Sequence, residues 1–416
     1  MSEILVQGYH SLKGELEIQG SKNAALPMMA AAVLHKGTTV LNYVPRIQDV
    51  FCMMGILESM GCVCTMEGHR LTIDAGCLTD VRIPEKNGKA MRSSIVLLGA
   101  LLGRSGEAYA HYPGGCSIGS RPIDMHLDAL EKLGAVFREE EGIIHAQTMR
   151  LKGSTISFDY PSVGATENVL LAAAGAEGIT VLKGAAREPE IAALCGMLQA
   201  MGAEIWGTGT DCLMIHGTRR YKDVVRDVPG DRIVTGTYLS AVMAAGGEGV
   251  FKRSSPKDLD CVVKTMEKAG AHIRILDDVL EVKMKGRPKA ISVETNPYPG
   301  FPTDLQSMMM VLLAIGDGRG CLKETVFEGR FATAKELHKM GAGIIIEGKE
   351  ACITGQKSLT GARVQACDLR GGAALVIAGL AAEGETVITE CHHILRGYED
   401  ICRDLRCLGA VIRREA

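Results

Sequence analysis

Aromatic side chains are scarce. Seven Phe, nine Tyr and a single Trp, Trp206, make up 4% of the 416 residues. That argues against the stacking platforms with which proteins grip single-stranded nucleic acid. Charge of one sign is not in excess either: 46 Lys and Arg face 49 Asp and Glu, for a net charge of −3. Nothing global then attracts nucleic acid or an anionic membrane, and any anion site must be a local cluster of basic residues. Long apolar runs are missing. The longest, near residues 308–315 and 373–382, are too short to span a bilayer. The opening residues, MSEILVQG, carry neither a basic nor an apolar signal segment, so no signal peptide is expected. The 14 cysteines lack the paired spacings of a zinc site. Scattered as they are through a large chain, they point to a reducing cytosol. Cys62 and Cys64 form a C-x-C, for which alternation on one strand is the simpler reading.

What is present is repetition. A chain of 416 residues exceeds a typical single core, so two domains are expected. One phrase, a helix end followed by glycine and an extended apolar stretch, occurs six times. It is centred on Gly61, Gly134, Gly202, Gly270, Gly341 and Gly409, at intervals of 68 to 73 residues. Each glycine stands where a helix should stop in a left-handed conformation. The residues after each glycine alternate like a strand. Before each copy comes a helix of small, apolar residues. These helices are predicted to begin near Ser21-Lys22-Asn23, Met91-Arg92, Gly164-Ala-Thr166, Thr235-Gly-Thr237, Asp304-Leu-Gln and Asp368-Leu-Arg370.

Helices apolar nearly all round are buried ones. An open solenoid would leave them outside. The expected fold is therefore α/β: two inside-out, barrel-like domains, each of three repeated units with helices within and sheets without. The halves should meet near residues 227–232. An opening strand over residues 4–18 should complete a sheet in one of them.

The stretch from Tyr112 to His126 reads YPGGCSIGSRPIDMH. Pro113 and Pro122 bracket it, so no helix runs through. Glycine-rich turns bring backbone N–H groups close to a ligand, and a cysteine beside such dipoles and Arg121 gains thiolate character. The plainer alternative is a surface turn with an incidental cysteine, Cys116. Cations gather at or near the predicted helix starts: Lys22, Arg92, Arg232 and Arg370, with Arg121 and Arg396 in loops. One such arginine is ordinarily a solvated surface group. At equivalent positions of repeats they can form a phosphate site. Asp304 and Asp368 are either helix N-caps or, facing such a pocket, a general base. Two near-miss motifs are set aside. Residues 343–350 lack the final Ser or Thr of a P-loop and read as a hairpin, and residues 207–211 lack the third glycine of a dinucleotide fingerprint.

These residues, together with Pro113-Gly-Gly-Cys116-Ser-Ile-Gly-Ser-Arg121, Ser162-Val-Gly-Ala-Thr, Arg187-Glu-Pro-Glu and Phe301-Pro-Thr-Asp304, resemble the UDP-N-acetylglucosamine enolpyruvyl transferases over essentially the whole chain. The resemblance implies two domains, residues 21–229 and residues 1–20 plus 230–416, with the active site in the cleft between. It implies transfer of the enolpyruvyl group of phosphoenolpyruvate to the 3-hydroxyl of UDP-N-acetylglucosamine, with release of phosphate. That is the first committed step of peptidoglycan synthesis, in the cytoplasm, without metal or organic cofactor. By motif position Cys116 would be the general acid, the site of a phosphoenolpyruvate adduct and of alkylation by fosfomycin. Asp304 would take the hydroxyl proton. Lys22, Asn23, Arg121 and Arg396 would hold phosphoenolpyruvate. Asn23, Arg92, Arg121, Pro122, Ile123, Asp124, Met125, Tyr160, Pro161, Ser162, Val163, Asp304 and Val326 would bind the nucleotide sugar. Asp368 and Arg370 would support the reacting centre.

Three positions depart from the family pattern: Leu395 replaces an Asp before Arg396, Gly329 replaces an Asn, and Gln48 replaces a basic residue. They leave one alternative, a catalytically weak or silent paralogue that binds UDP-N-acetylglucosamine. The related shikimate-pathway transferases carry Gly-Asn-Ala-Gly-Thr where this chain has Asn87-Gly-Lys-Ala-Met-Arg92, and they lack the cysteine loop. An RNA 3′-phosphate cyclase is disfavoured by the acidic balance and few aromatics.

Overall fold

The protein is seen here as a computed structural model that describes residues 3–114, 119 and 122–415. These fall into two compact units, one of residues 20–114 and 122–229, the other of residues 3–19, 119 and 230–415. Each has its own hydrophobic core, and the two sets of buried residues do not overlap.

The repeated helices are the cores. In the unit of residues 20–229 the inner helices are Lys22–Ala32, Leu97–Ser105 and Val163–Ala174; in the other they are Arg232–Ala245, Gln306–Ala314 and Leu369–Leu380. Every residue of Gln306–Ala314 is buried, as are Arg370 to Leu380. Small residues let these helices approach closely: a Cβ on Gly99 would lie 2.4 Å from the carbonyl oxygen of Asn168 on the neighbouring helix. Asn168 knots this unit. It accepts from the Gly99 N–H at 2.8 Å, donates to the Ile95 carbonyl at 3.0 Å, and lies 2.7 Å from Nδ1 of His126.

Outside lie the sheets, six of three or four strands and one of two; no closed barrel forms among the described residues. Their strands alternate, one face on the helices and one outward, as in Cys212–His216 and Arg70–Asp74. All six repeat glycines have positive φ, from +87° at Gly409 to +118° at Gly202. There a side chain would strain the backbone, and glycine lets the helix stop and the next strand begin. Residues 343–347 and 350–354 form a hairpin turning at Gly348-Lys349.

Two expectations need correction. The opening segment is two strands, Glu3–Gln7 and Leu12–Glu17, because the chain turns at Tyr9 with φ +65°. The first lies between Glu385–Thr389 and Val411–Glu415, and the second edges Gly247–Lys252. Both complete sheets of the unit containing residues 230–415. The fourth inner helix begins at Arg232, earlier than expected. Asp231 caps it by accepting from the amides of Ile233 and Val234, which draws Arg232 into the first turn.

Candidate active site

Cys116 and Arg121 lie outside the described residues. The remaining predicted residues are divided between the two units.

In the unit of residues 20–229, Ser21 caps the first inner helix, so Lys22 and Asn23 stand in its first turn, both half-buried. A helix N-terminus offers free N–H groups and a positive dipole end. Lys22 is directed by Asp49, whose Oδ2 lies 3.3 Å from Nζ; their side chains are 13% and 6% exposed. A charge so enclosed needs a partner. Asp49 comes from the second helix of the same repeat, Gln48–Ser59, and nothing in the sequence marks it. Arg92 opens a 3-10 turn and donates to the carbonyl of Pro122 at 3.4 Å. Ile123 is buried, Asp124 starts the helix Asp124–Lys132, and Met125 is half-buried. His126 packs on the third inner helix, where a Cβ on Gly164 would come within 2.9 Å of its Cε1. Ser162 caps that helix through the Ala165 amide, with Val163 first in it and Tyr160 exposed just before. Arg92, residues 122–125 and residues 160–163 are thus brought to neighbouring places.

In the other unit the centre is Asp304. It lies within the 3-10 turn Thr303–Leu305 and is not an N-cap; that position is Pro302. Its two oxygens are taken by different arginines. Arg330 bonds Oδ1 through Nη2, and Arg370 donates to Oδ2 at 3.2 Å. Both guanidiniums are buried, with side chains 5% and 4% exposed, whereas Asp304 is 24% exposed. An ionised carboxylate has about four lone-pair sites, more than two arginine contacts use.

Asp368 does something else. Its Oδ1 accepts from the amides of Arg370 and Gly371, both at 2.9 Å, so it is the N-cap of Leu369–Leu380. Capping fixes the start of that helix and hence Arg370. Burial acts to lower the pKa of Arg370, but the combined pull of Asp304, Tyr398 and Asp231 outweighs it and holds the guanidinium above its ordinary value. Arg370 also donates to the Tyr398 hydroxyl at 3.4 Å, which lies 2.8 Å from Oγ1 of Thr237. Arg396 ends the 3-10 helix Cys391–Arg396, half-buried beside Leu395.

Sequence reasoning missed Arg330, Thr303 and Glu324. Nothing local in the sequence singles them out: Glu324 stands between Lys323 and Thr325, and Arg330 follows Glu328-Gly329. The C-x-C pair is inert by comparison. Burial pushes the thiols of Cys62 and Cys64 up, to about 11 and about 12. No group of three or more metal-ligating side chains occurs among the described residues.

A carboxylate gripped by two buried arginines, a lysine directed by an aspartate and capped helix N-termini suit a reaction between anions. Residues 6–405 match the family described as EPSP synthase (3-phosphoshikimate 1-carboxyvinyltransferase), and the chain belongs to that family of carboxyvinyl transferases. The solved structure of the enolpyruvyl transferase NikO from Streptomyces tendae shares the fold, with a TM-score of 0.90 over 99% of this chain and 98% of that one at 24% identity. Sequence relatives narrow the class. The chain is 44% identical over 415 residues to UDP-N-acetylglucosamine 1-carboxyvinyltransferase 2 of Caldanaerobacter subterraneus subsp. tengcongensis, covering 100% of both chains. It is 43% identical over 414 residues to UDP-N-acetylglucosamine 1-carboxyvinyltransferase of Geobacter metallireducens, covering 100% of this chain and 99% of that one. Within the family it therefore belongs with the UDP-N-acetylglucosamine 1-carboxyvinyltransferases.

Proposed function

We propose that the protein transfers the enolpyruvyl group of phosphoenolpyruvate to the 3-hydroxyl of UDP-N-acetylglucosamine and releases phosphate, the first committed step of peptidoglycan synthesis. The observation that carries this is full-length identity of 43–44% to enzymes named for that reaction. The arrangement around Asp304 supports it. Asp304 takes the proton of the sugar hydroxyl, whose oxygen bonds to C2 of phosphoenolpyruvate. Cys116 gives a proton to the methylene carbon, and a tetrahedral adduct forms. Loss of a proton from the new methyl group and departure of phosphate restore the double bond.

Lys22, Asn23, Arg121 and Arg396 hold the anionic groups of phosphoenolpyruvate in this reading. Arg92, residues 121–125, residues 160–163 and Val326 hold the nucleotide sugar. Asp368 and Arg370 keep Asp304 in place. Substrate and product are nucleotide sugars, which sets the reaction in the cytoplasm; no helix among the described residues is long and apolar enough to cross a membrane. Cys116 is the residue that fosfomycin alkylates and that carries a pyruvate adduct. In cells the activity serves wall growth, and with it cell shape and division.

The test is phosphate release from phosphoenolpyruvate in the presence and absence of UDP-N-acetylglucosamine, for wild type and Cys116→Ser, with and without fosfomycin. Release that requires the sugar nucleotide and is abolished by fosfomycin in the wild type is expected. Binding of the sugar nucleotide without release would favour the silent paralogue to which Leu395 points.

A further inference from the structure

Glu324 is 3% exposed, and its two side-chain oxygens lead to Val326 on one side and toward Asp304 on the other. Its backbone N–H is tied to the Lys349 carbonyl at 2.8 Å. Oε1 accepts from the amides of Val326 at 2.7 Å and Phe327 at 3.0 Å. Oε2 accepts from the hydroxyl of Thr303 at 3.0 Å. That same hydroxyl oxygen accepts from Nε of Arg330 at 3.3 Å, and Arg330 goes on to Oδ1 of Asp304. The direction of each bond is forced. Arg330 can only donate and an ionised carboxylate can only accept, so the Thr303 hydroxyl accepts from Arg330 and donates to Glu324.

We infer that Glu324 is a positioning residue that sets both the turn bearing Val326 and, through Thr303 and Arg330, the direction of the Asp304 carboxylate. One carboxylate thereby couples the segment assigned to the nucleotide sugar to the group assigned to its hydroxyl proton. This rests on the proposed transferase reading for its kinetic meaning, but the geometry it asserts stands apart from it.

Glutamine at position 324 tests the relay selectively. With its carbonyl toward Val326 and Phe327 the turn is kept and its NH2 can donate to the Thr303 oxygen, but the Thr303 O–H then loses its acceptor. Flipped, it sets an NH2 against two amide donors. Either way a buried donor is left without its acceptor, at the cost of an unsatisfied buried group. A small misplacement of a reacting group costs up to about 100-fold in rate. We expect Glu324→Gln to lower kcat about 10- to 100-fold while KM for UDP-N-acetylglucosamine changes less than about threefold. Glu324→Ala, which also frees the turn, should raise that KM as well. Thr303→Val cuts the relay and spares the turn, so it should match Glu324→Gln, and it stands in if that variant does not fold. Crystals of Glu324→Gln or Thr303→Val should show the Asp304 carboxylate displaced from its wild-type position. Unchanged kcat in both variants, or an unmoved Asp304, overturns the inference. If the wild type releases no phosphate, the transferase reading falls, and the position of Asp304 in the crystals still decides this one.

Discussion

The Arg370 guanidinium lies 3.2 Å from Oδ2 of Asp304, 66 residues away in the chain. Asp368 caps the helix that carries this arginine, while Arg330 holds the other oxygen of Asp304. A carboxylate held on both sides is oriented but not sealed.

Removing Asp304 should therefore harm stability as well as activity. Asp304→Ala leaves two buried guanidiniums without the carboxylate between them, a loss on the order of 3 kcal/mol. Asp304→Asn keeps the volume and should fold better, yet on the proposed role of Asp304 as base it should lose about 100- to 10,000-fold in kcat. Urea unfolding and steady-state kinetics on both variants separate the two effects.

Asp49 should matter to phosphoenolpyruvate although sequence gives it no role. It directs Lys22 from 3.3 Å. Asp49→Asn should lower kcat/KM for phosphoenolpyruvate about tenfold, which corresponds to about 1.4 kcal/mol of lost orientation. The urea midpoint should move little. Titrating phosphoenolpyruvate at saturating nucleotide sugar provides the comparison.

Stability of the unit with residues 20–229 should fall as pH rises. Burial, and then the charges of Glu190 and Glu188, push the carboxyl of Glu167 up from 4.5 to about 8. The folded state then holds this proton more tightly than the unfolded state. Its stabilising effect is full below about pH 4.5, declines as pH rises and is gone above about pH 8. Glu167→Gln should flatten this slope and, at pH 9, unfold at a higher urea concentration than the wild type. Urea midpoints between pH 5 and 9 report it.

Two of the six repeat glycines should respond differently to alanine. Gly341 has φ +88° and open space around its missing Cβ, so Gly341→Ala should cost only backbone strain, about 1 kcal/mol. Gly61 has φ +99°, and a Cβ there would meet the Cys77 carbonyl oxygen at 2.6 Å. Gly61→Ala should cost on the order of 3 kcal/mol. Thermal unfolding of the two variants tests the difference.

Sequence by itself determined the repeat, the buried helices and the family. The repeat and the buried helices rest on local rules, a glycine that stops a helix and an apolar run that must be buried; the family rests on the resemblance of motifs such as Phe301-Pro-Thr-Asp304 to those of known transferases. The local rules placed Gly61 and its five counterparts and named Lys22, Asp304 and Arg370. They could not choose between capping and chemistry for Asp304 and Asp368, because both roles ask for the same residue beside a helix start. The tertiary structure distinguishes their surroundings: Arg330 and Arg370 reach the two oxygens of Asp304, while Asp368 accepts from two amides with Arg330 4.0 Å away. It also paired Lys22 with Asp49, linked Glu324 to Asp304 through Thr303, and folded the opening segment into two strands. Each of these depends on which elements pack together. A buried charge takes whichever partner that packing brings within reach, and no local pattern in the chain encodes the distance.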